Sequence, residues 1–210
     1  MRLLLLPVAF AFAVAGCDLA DDGPRTTQTR DLPEFTRVDN RDEVDVRLRV
    51  GDEQRVVVRA GEKVIDDVVT EVRDGTLRVS FDRNRFLGDD LVVEASVPAL
   101  GEIAVGGSGD VSAEGIDAEA LTVRSDGSGD ITLDGRAGRL DVELDGSGDV
   151  DLERLTAHVG RVKADGSGDA DVRVARRLEV TLDGSGDVRY RGNPQLTEHV
   201  DGSGDLKQSS

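Results

Sequence analysis

The chain has 210 residues, of which 38% are hydrophobic and 3% aromatic, and its formal net charge is −17. A charge this negative repels nucleic acids and anionic lipid surfaces, so we exclude a nucleic-acid partner. The one cysteine, Cys17, excludes a disulfide framework. The apolar residues are mainly Val, Leu, Ile and Ala, and there are 25 glycines, a composition that favours strands joined by tight turns.

The first residues have the pattern of a signal peptide. Arg2 precedes twelve apolar residues, 3–14, and this run is too short to span a bilayer, which needs about 20 residues. The run ends in Val-Ala-Gly-Cys, which resembles the lipobox of bacterial lipoproteins. We predict a lipoprotein signal peptide over 1–16, lipidation of Cys17, and a location in the bacterial cell envelope, on the periplasmic side or at the cell surface. An ordinary secretory signal with an incidental cysteine is the alternative.

A polar segment and a strand-rich segment follow. Residues 17–33 begin with the lipidated cysteine and carry almost no apolar pattern, so we expect a flexible tether. Residues 34–105 form a predicted β-rich N-terminal part, mixed or antiparallel, in which several stretches alternate apolar and polar residues. These stretches are 44–50, 54–60, 76–81 and 91–97. Between them, 63–72 is interpreted as a short helix or irregular turn and 81–90 as a polar loop.

The tetrapeptide Gly-Ser-Gly-Asp occurs six times, with 18 to 20 residues from one copy to the next. A fixed period near 20 is typical of a solenoid. The residue four places after the first glycine is apolar in all six copies, and those two and four places before it are mostly apolar. One strand therefore arrives at each copy and another leaves it. No stretch between copies is long or amphipathic enough for a crossover helix.

These patterns predict an all-β protein. Its main part is a parallel β-helix, or β-solenoid, of about five to six coils of 18–20 residues over 106–206, preceded by the β-rich N-terminal part and followed by a polar tail, 207–210. In the last copy, Glu198 and Gln208 stand where the other copies have mostly apolar residues, which indicates a C-terminal cap.

Each copy of the tetrapeptide is predicted to be a corner of a coil. Its glycines permit a positive φ or close packing on the next coil, and its serine and aspartate can hydrogen-bond backbone groups. The predicted corner residues are Gly107, Ser108, Gly109, Asp110, Gly127, Ser128, Gly129, Asp130, Gly146, Ser147, Gly148, Asp149, Gly166, Ser167, Gly168, Asp169, Gly184, Ser185, Gly186, Asp187, Gly202, Ser203, Gly204 and Asp205.

Stacking the corners produces two columns of carboxylates, because an aspartate precedes five copies and another ends all six. Neighbours about 4.8 Å apart repel each other by roughly 1 kcal/mol in water, and a bound cation is one way to offset this. The motif also looks similar to the repeat of calcium β-rolls. A calcium-binding β-roll-like module is therefore the alternative to a purely structural corner, and no other cofactor is expected. Its candidate ligands are Asp126, Asp130, Asp145, Asp149, Asp165, Asp169, Asp183 and Asp187.

We expect no catalytic residues. Carbohydrate-active β-helix enzymes, a remote alternative, use aromatic side chains and paired carboxylates in a cleft, whereas this chain has one Tyr and five Phe. The two histidines, His158 and His199, are far apart in the sequence and are interpreted as surface residues. Because the repeat places paired aspartates at most corners, these pairs do not mark one distinctive catalytic place.

Three stretches of the sequence resemble the putative auto-transporter adhesin head domain of GIN type, which occurs in bacterial envelope proteins. They are VRDGTLRVSF (72–81), VPALGEIAVGGSGDV (97–111) and GSGDVRYRGNPQL (184–196), and the likeness covers roughly 35–206. The resemblance implies a β-helix-like fold and an exported or lipid-anchored location, and it offers no catalytic residues. This chain departs from the family in its heavier load of aspartate before the corners.

We therefore expect a lipid-anchored envelope protein with a structural or adhesin-like interaction role. Its expected partners are the membrane, through the anchor, and an envelope protein or glycan whose identity the sequence does not give.

Overall fold

The computed structural model describes residues 22–82 and 91–209. The predicted signal peptide, Cys17 and most of the predicted loop over 81–90 lie outside the described residues. Within those ranges the chain forms a 15-stranded sheet and one 3-10 helix, Ile65–Asp67. The strands are β1 (Arg25–Arg30), β2 (Arg37–Asn40), β3 (Asp45–Val50), β4 (Arg55–Gly61), β5 (Val68–Arg73), β6 (Thr76–Phe81), β7 (Val92–Val97), β8 (Glu102–Val105), β9 (Val111–Ser125), β10 (Ile131–Leu144), β11 (Val150–Ala164), β12 (Ala170–Leu182), β13 (Val188–Arg191), β14 (Gln195–Val200) and β15 (Leu206–Gln208).

The second half of the chain is a parallel β-solenoid. Strands β9 to β12 have 13 to 15 residues each and pair in parallel, in that order. The first part of β12 then pairs with β13 and its last part with β14. Each long strand leaves one corner, bends, and arrives at the next corner, so that one coil is one bent strand with two sides. The coils make about five turns, which confirms the predicted fold class.

The core lies between the two sides of the coils, where equivalent side chains stack in columns. Strand β10 contributes Ile131, Leu133, Val142 and Leu144, all 0% exposed. Alternation along each strand places these residues inside and the charged residues outside. In the last coil the columns open towards solvent, since Val200 is 41% exposed and the polar residues that replace apolar ones in that coil are exposed as well.

The coils differ in length, and the bend opposite the corner absorbs the difference. The pairing register shifts there, between Thr132 and Asp134 and between Leu152 and Thr156 in successive coils. The residues on either side of each corner pair without a shift. At this bend Gly135 has a φ of +135°, a conformation that favours glycine. The corners therefore fix how the coils stack, and the opposite bend tolerates insertions.

The N-terminal strands belong to the same sheet as the solenoid. β1, β4 and β7 are antiparallel neighbours, and so are β5 and β6. By contrast, β2 is parallel to β8, and β3 is parallel to both β7 and β9. This mixture agrees with the predicted mixed character of the N-terminal part. Strands β2 and β3, with the turn between them, form a further coil ahead of the first Gly-Ser-Gly-Asp corner.

Two predictions for the N-terminal part are corrected. The flexible tether predicted over 17–33 is wrong for Arg25–Arg30, because these residues pair with β4 along their whole length as strand β1. The helix or irregular turn predicted over 63–72 holds only for its first part, the 3-10 helix. Its second part is strand β5, in which β-branched residues pair with β6. Among the described residues, no helix has the length and apolar character needed to cross a membrane.

Candidate functional site

The corners stack directly on one another, and their glycines allow the backbones to touch. A Cβ on Gly146 would lie 2.1 Å from the carbonyl oxygen of Gly127 in the preceding coil. A Cβ on Gly148 would lie 2.1 Å from the carbonyl oxygen of Gly129. The described glycines with positive φ all lie outside the corners. Of the two alternative roles expected for the corner glycines, the geometry corresponds to close packing, and no corner glycine has a positive φ.

The serine of each corner contributes through its backbone. The N–H of Ser147 donates to the carbonyl oxygen of Gly127 at 2.8 Å, and the serines of the other stacked corners repeat this bond at 2.9 Å. The serine side chains are exposed. Backbone contact between coils therefore explains why the corner is narrow, and the hydroxyls form a row on its surface.

The final aspartates of the corners form a hydrogen-bonded ladder. Oδ1 of Asp130 accepts the N–H of Asp149 at 2.8 Å, and the same bond, at 2.8 to 2.9 Å, links every pair of successive corners. The predicted role as acceptors of N–H groups is confirmed, with the donor in the next coil. This bond is also the largest cause that lowers the pKa of Asp187, whose partner is the N–H of Asp205.

The ladder begins one coil earlier than the sequence motif. Oδ1 of Asp45 accepts the N–H of Asp110 at 3.1 Å, and the N–H of Gly109 donates to the carbonyl oxygen of Asp42 at 3.0 Å. Residues 42–45, Asp-Glu-Val-Asp, thus occupy the place of a corner. The sequence motif does not reveal this corner, because only its final aspartate matches. The alternating strand that starts directly after that aspartate was the available signal.

Asn40 closes this end of the ladder from within the core. It is 0% exposed, and its Nδ2 donates to the carbonyl oxygens of Val44 at 2.8 Å and Gly109 at 3.1 Å. The same inward column contains Ser125, whose buried Oγ has no partner among the described residues. The amide nitrogen of Asn40 therefore satisfies two corner carbonyls, whereas the buried Oδ1 of Asn40, like Oγ of Ser125, has no partner among the described residues.

Both predicted columns of carboxylates face outward, and basic side chains stand among them. Arg189 lies 2.9 Å from Asp169 and 3.3 Å from Asp187, and Lys163 contacts Asp165. These ion pairs, together with the ladder, offset part of the repulsion within the columns. The basic side chains and the ladder thus supply an offset of the kind for which a bound cation was one possibility.

A concave surface of about 490 Å³ lies beside the ladder and is strongly acidic. Burial raises the pKa of Asp171 there, and the positive charge of Arg189 acts in the opposite direction. The carboxylates that line this surface are Asp130, Asp149, Asp151, Glu153, Asp169 and Asp171.

The calcium candidates do not converge on one point. Among the described residues, the possible metal ligands that gather in a group of three, with ligand atoms within 4.8 Å of one another, are Asp183, His199 and Asp201. Only one of the eight candidate aspartates belongs to this exposed group, whereas calcium takes six to eight oxygen ligands. Both histidines, His158 and His199, are at the surface as predicted.

A second concave surface, of about 700 Å³, lies on the outward side of the N-terminal sheet. Strands β3 and β4 each contribute two exposed arginines to it, and β1 contributes two threonine hydroxyls. We call this surface the arginine groove, and its defining residues are Arg47, Arg49, Arg55, Arg59, Thr27 and Thr29.

Two of the four arginines are paired and two are not. Arg59 lies 2.8 Å from Glu94, and Arg49 lies 3.3 Å from Glu114. No carboxylate of the described residues lies within 4 Å of the other two guanidinium groups. The groove therefore carries an excess of positive charge within a chain whose net charge is −17.

The alternation of these strands predicts charged residues on their outer side, but it does not predict that four arginines meet. The meeting depends on strand order, because β7 lies between β3 and β4. Its Ser96 pairs with Arg49 on one side and with Arg55 on the other. Such pairings between distant segments leave no trace in the local alternation of a single strand.

The family assignment follows from the sequence together with this fold. Residues 34–194 match the family described as "Putative auto-transporter adhesin, head GIN domain". The chain belongs to this family. The GIN domain thus spans strands β2 to β13 and the first five Gly-Ser-Gly-Asp corners, in agreement with the resemblance noted in the sequence. No curated protein matches the chain.

Solved structures share the GIN-domain fold of this chain. A putative adhesin from Bacteroides fragilis has a TM-score of 0.74 at 19% identity, over 89% of this chain and 97% of its own. A putative lipid binding protein from Parabacteroides distasonis has a TM-score of 0.58 at 19% identity, over 90% and 98% of the two chains. A putative adhesin from the same organism has a TM-score of 0.57 at 17% identity, with the same coverage. At these identities the likeness shows the fold.

Proposed function

We propose that this GIN-domain protein is a lipid-anchored, adhesin-like protein of the bacterial cell envelope that binds a partner and catalyses no reaction. The observation that carries the proposal is the arginine groove, a concave surface that offers binding groups on a regular β-scaffold. The family description and the names of two structural neighbours, which are those of adhesins, support the same role.

The chemistry of the groove favours binding over catalysis. General acid–base catalysis needs a carboxylate or another group that is free to exchange a proton with a substrate. The carboxylates of Glu94 and Glu114 are each held by an arginine. Guanidinium groups stay protonated at physiological pH, so they can hold an anion but cannot act as a base. A carbohydrate-active enzyme is therefore not part of the proposal.

The scaffold suits a protein that presents a surface. Its coils are tied by backbone bonds and by the aspartate ladder, so the outward residues keep fixed spacings of about 4.8 Å from coil to coil. Solenoids use such extended faces for recognition. A calcium-binding role is not proposed, because the ladder already engages the aspartates that end the corners and the candidate ligands do not converge.

The predicted anchor places the groove near the membrane. Strand β1, which forms one border of the groove, begins at Arg25, so seven residues separate it from Cys17. Seven extended residues span at most about 25 Å. A lipid on Cys17 would therefore hold the domain close to the envelope surface, with a shorter tether than the sequence suggested.

One experiment tests anchoring and adhesion together. Cells that produce the wild-type protein, the Cys17→Ser variant or neither are fractionated, and their attachment to a glycan panel and to neighbouring cells is counted. We expect the wild-type protein in the membrane fraction and increased attachment, with both lost in the variant. Membrane retention of Cys17→Ser would refute the anchor, and equal attachment of producing and non-producing cells would refute adhesion.

A further inference from the structure

We propose that the arginine groove binds an anionic polysaccharide, one whose sugars carry carboxylate or sulfate groups. This inference rests on the proposed adhesin-like function and names the class of ligand that the groove accepts.

The charge of the groove is the first argument. Of the described residues, four arginines and two glutamates line it, an excess of positive charge in a chain that carries −17 overall. At physiological ionic strength the Debye length is about 8 Å, so the distant negative charges are largely screened for a ligand inside the groove. Such a ligand interacts mainly with the arginines beside it. The groove is thus an attractive place for an anion on an otherwise repulsive protein.

The availability of donors is the second argument. Arg47 and Arg55 have no carboxylate partner within 4 Å among the described residues, so their N–H groups are free to bind a ligand. A guanidinium group matches carboxylate and sulfate oxygens with two parallel hydrogen bonds. Arg55 and Arg49 flank Ser96, so one guanidinium group lies on each side of strand β7.

The remaining lining identifies a sugar chain as the carrier of the anion. Thr27, Thr29, Ser96 and Ser112 add hydroxyls, which can exchange hydrogen bonds with the hydroxyls of sugars. Among residues 22–82 and 91–209, no aromatic side chain lines the groove, so these residues offer no stacking platform for nucleobases or for the apolar faces of neutral sugars. Affinity must then come from charge and hydrogen bonds, which excludes neutral glycans as good ligands.

The shape of the groove favours a chain over a membrane surface. A concave surface of about 700 Å³ can enclose part of a flexible polymer. A planar bilayer does not follow a concave surface and would contact mainly its most exposed side chains, such as Arg49 and Glu114, which are 72% and 65% exposed.

The test uses the mature lipidated protein in a neutral detergent, with three immobilised probes: polygalacturonate, which carries carboxylates, dextran sulfate, and neutral dextran. We expect binding to one or both anionic polymers, none to neutral dextran, and a loss of binding in 1 M NaCl. The double variant Arg47→Gln/Arg55→Gln should weaken binding by about tenfold or more, because it removes the unpaired guanidinium groups. The variant Arg47→Lys/Arg55→Lys keeps the positive charge but loses the forked guanidinium groups. Its affinity should therefore lie between those of the wild type and of Arg47→Gln/Arg55→Gln.

A matched control separates the groove from overall charge. Arg176→Gln/Arg177→Gln removes the same charge from exposed positions of β12, four strands away from β3 in the sheet. We expect affinity within about twofold of the wild type, since charges beyond a Debye length are screened. Equal losses in the groove variant and the control would overturn the inference. Circular dichroism of each variant checks that its fold is intact.

Further outcomes distinguish rival partners. A membrane surface would replace the polysaccharide as the partner under three conditions. The protein would bind vesicles that contain phosphatidylglycerol more strongly than phosphatidylcholine vesicles, it would lose this binding in Arg47→Gln/Arg55→Gln, and it would bind neither anionic polymer. This result would overturn the inference. Self-association of the protein that is likewise lost in Arg47→Gln/Arg55→Gln would overturn the inference in favour of a second copy of the chain as the partner. Cells with Arg47→Gln/Arg55→Gln that attach as well as wild-type cells would refute the inference and leave adhesion intact, whereas absent attachment by wild-type cells would sink the proposed function itself.

Discussion

Replacing Gly146 with alanine tests whether backbone contact between coils dictates glycine at the corners. The new Cβ would lie 2.1 Å from the carbonyl oxygen of Gly127 and 2.9 Å from the backbone nitrogen of the same residue. These atoms belong to the adjacent backbone, so no side-chain rotation relieves the contact. Since an ordinary van der Waals contact of a Cβ atom is 3.4–4 Å, the two coils must move apart locally by more than about 1 Å.

The cost follows from the bonds that such a movement stretches. The N–H of Ser147 donates to Gly127 at 2.8 Å, and the N–H of Asp149 donates to Asp130 at 2.8 Å. Two or three weakened hydrogen bonds cost about 1 kcal/mol each. The lower backbone freedom of alanine in the unfolded chain returns about 0.4–1 kcal/mol. We therefore expect the free energy of unfolding to fall by about 2 kcal/mol, with steric strain adding to the loss.

Gly106→Ala is the matched control, because it lies directly before a corner and its Cβ would meet no atom within 4 Å. Its φ is outside the left-handed region, so alanine should be neutral or stabilise by up to about 1 kcal/mol. The measurement is urea unfolding followed by far-ultraviolet circular dichroism, since the chain has no tryptophan. Equal midpoints for Gly106→Ala and Gly146→Ala would refute the close-packing argument.

Four further predictions concern the polar groups around the corners. Asn40→Leu leaves two buried carbonyls unpaired and should lower the free energy of unfolding by about 2 kcal/mol in the same urea titration. Ser125→Ala removes an unpaired hydroxyl, so in that titration it should be neutral or stabilising. Arg189→Gln should cost about 1 kcal/mol at low ionic strength and less than half of that in 1 M NaCl, because Asp169 and Asp171 lose their basic neighbour, while Asp187 keeps Lys207 at 3.5 Å. The pKa of Asp187 is lowered in the folded protein. Its stabilising contribution is therefore present above its unfolded pKa of about 3.9 and is lost as the pH falls through the folded value. The melting temperatures of the wild type and Asp187→Asn should accordingly converge at the acidic end of a pH series. Calcium at up to millimolar concentration should raise the melting temperature no more than magnesium does, and a calcium-selective rise would restore the β-roll alternative.

The solenoid could be predicted from the sequence because each coil repeats the same local rules. The spacing of the tetrapeptides gave the coil length, and apolar columns such as that of Ile131 and Val150 gave the inward side of every strand. These two residues are paired neighbours in the structure. Repetition makes long-range pairing visible, since equivalent positions of successive copies must stack.

The N-terminal part could not be predicted to the same depth, because nothing repeats there. Strand β1 is polar, and only its pairing with β4 makes it a strand. The corner over 42–45 keeps the aspartate bond of the ladder while losing the glycines of the motif. The following coil packs against this corner, and a Cβ on Gly107 would meet the carbonyl oxygen of Asp42 at 2.2 Å, so glycine is required on the coil that follows.

The division between constant corners and variable strands limits where the ligand can bind. One outward column runs through six paired strands, and its character changes from basic to neutral to acidic and back to basic. Its residues in order are Arg47, Ser112, Thr132, Asp151, Asp171 and Arg189. At about 4.8 Å per strand, the first acidic residue lies about 14 Å from the first arginine. An anionic polymer in the arginine groove would meet repulsion beyond that distance, so its contacts are confined to the N-terminal strands. A substitution such as Asp151→Asn should therefore extend the bound segment and strengthen binding, whereas the corners, which are committed to backbone contact, offer no such freedom.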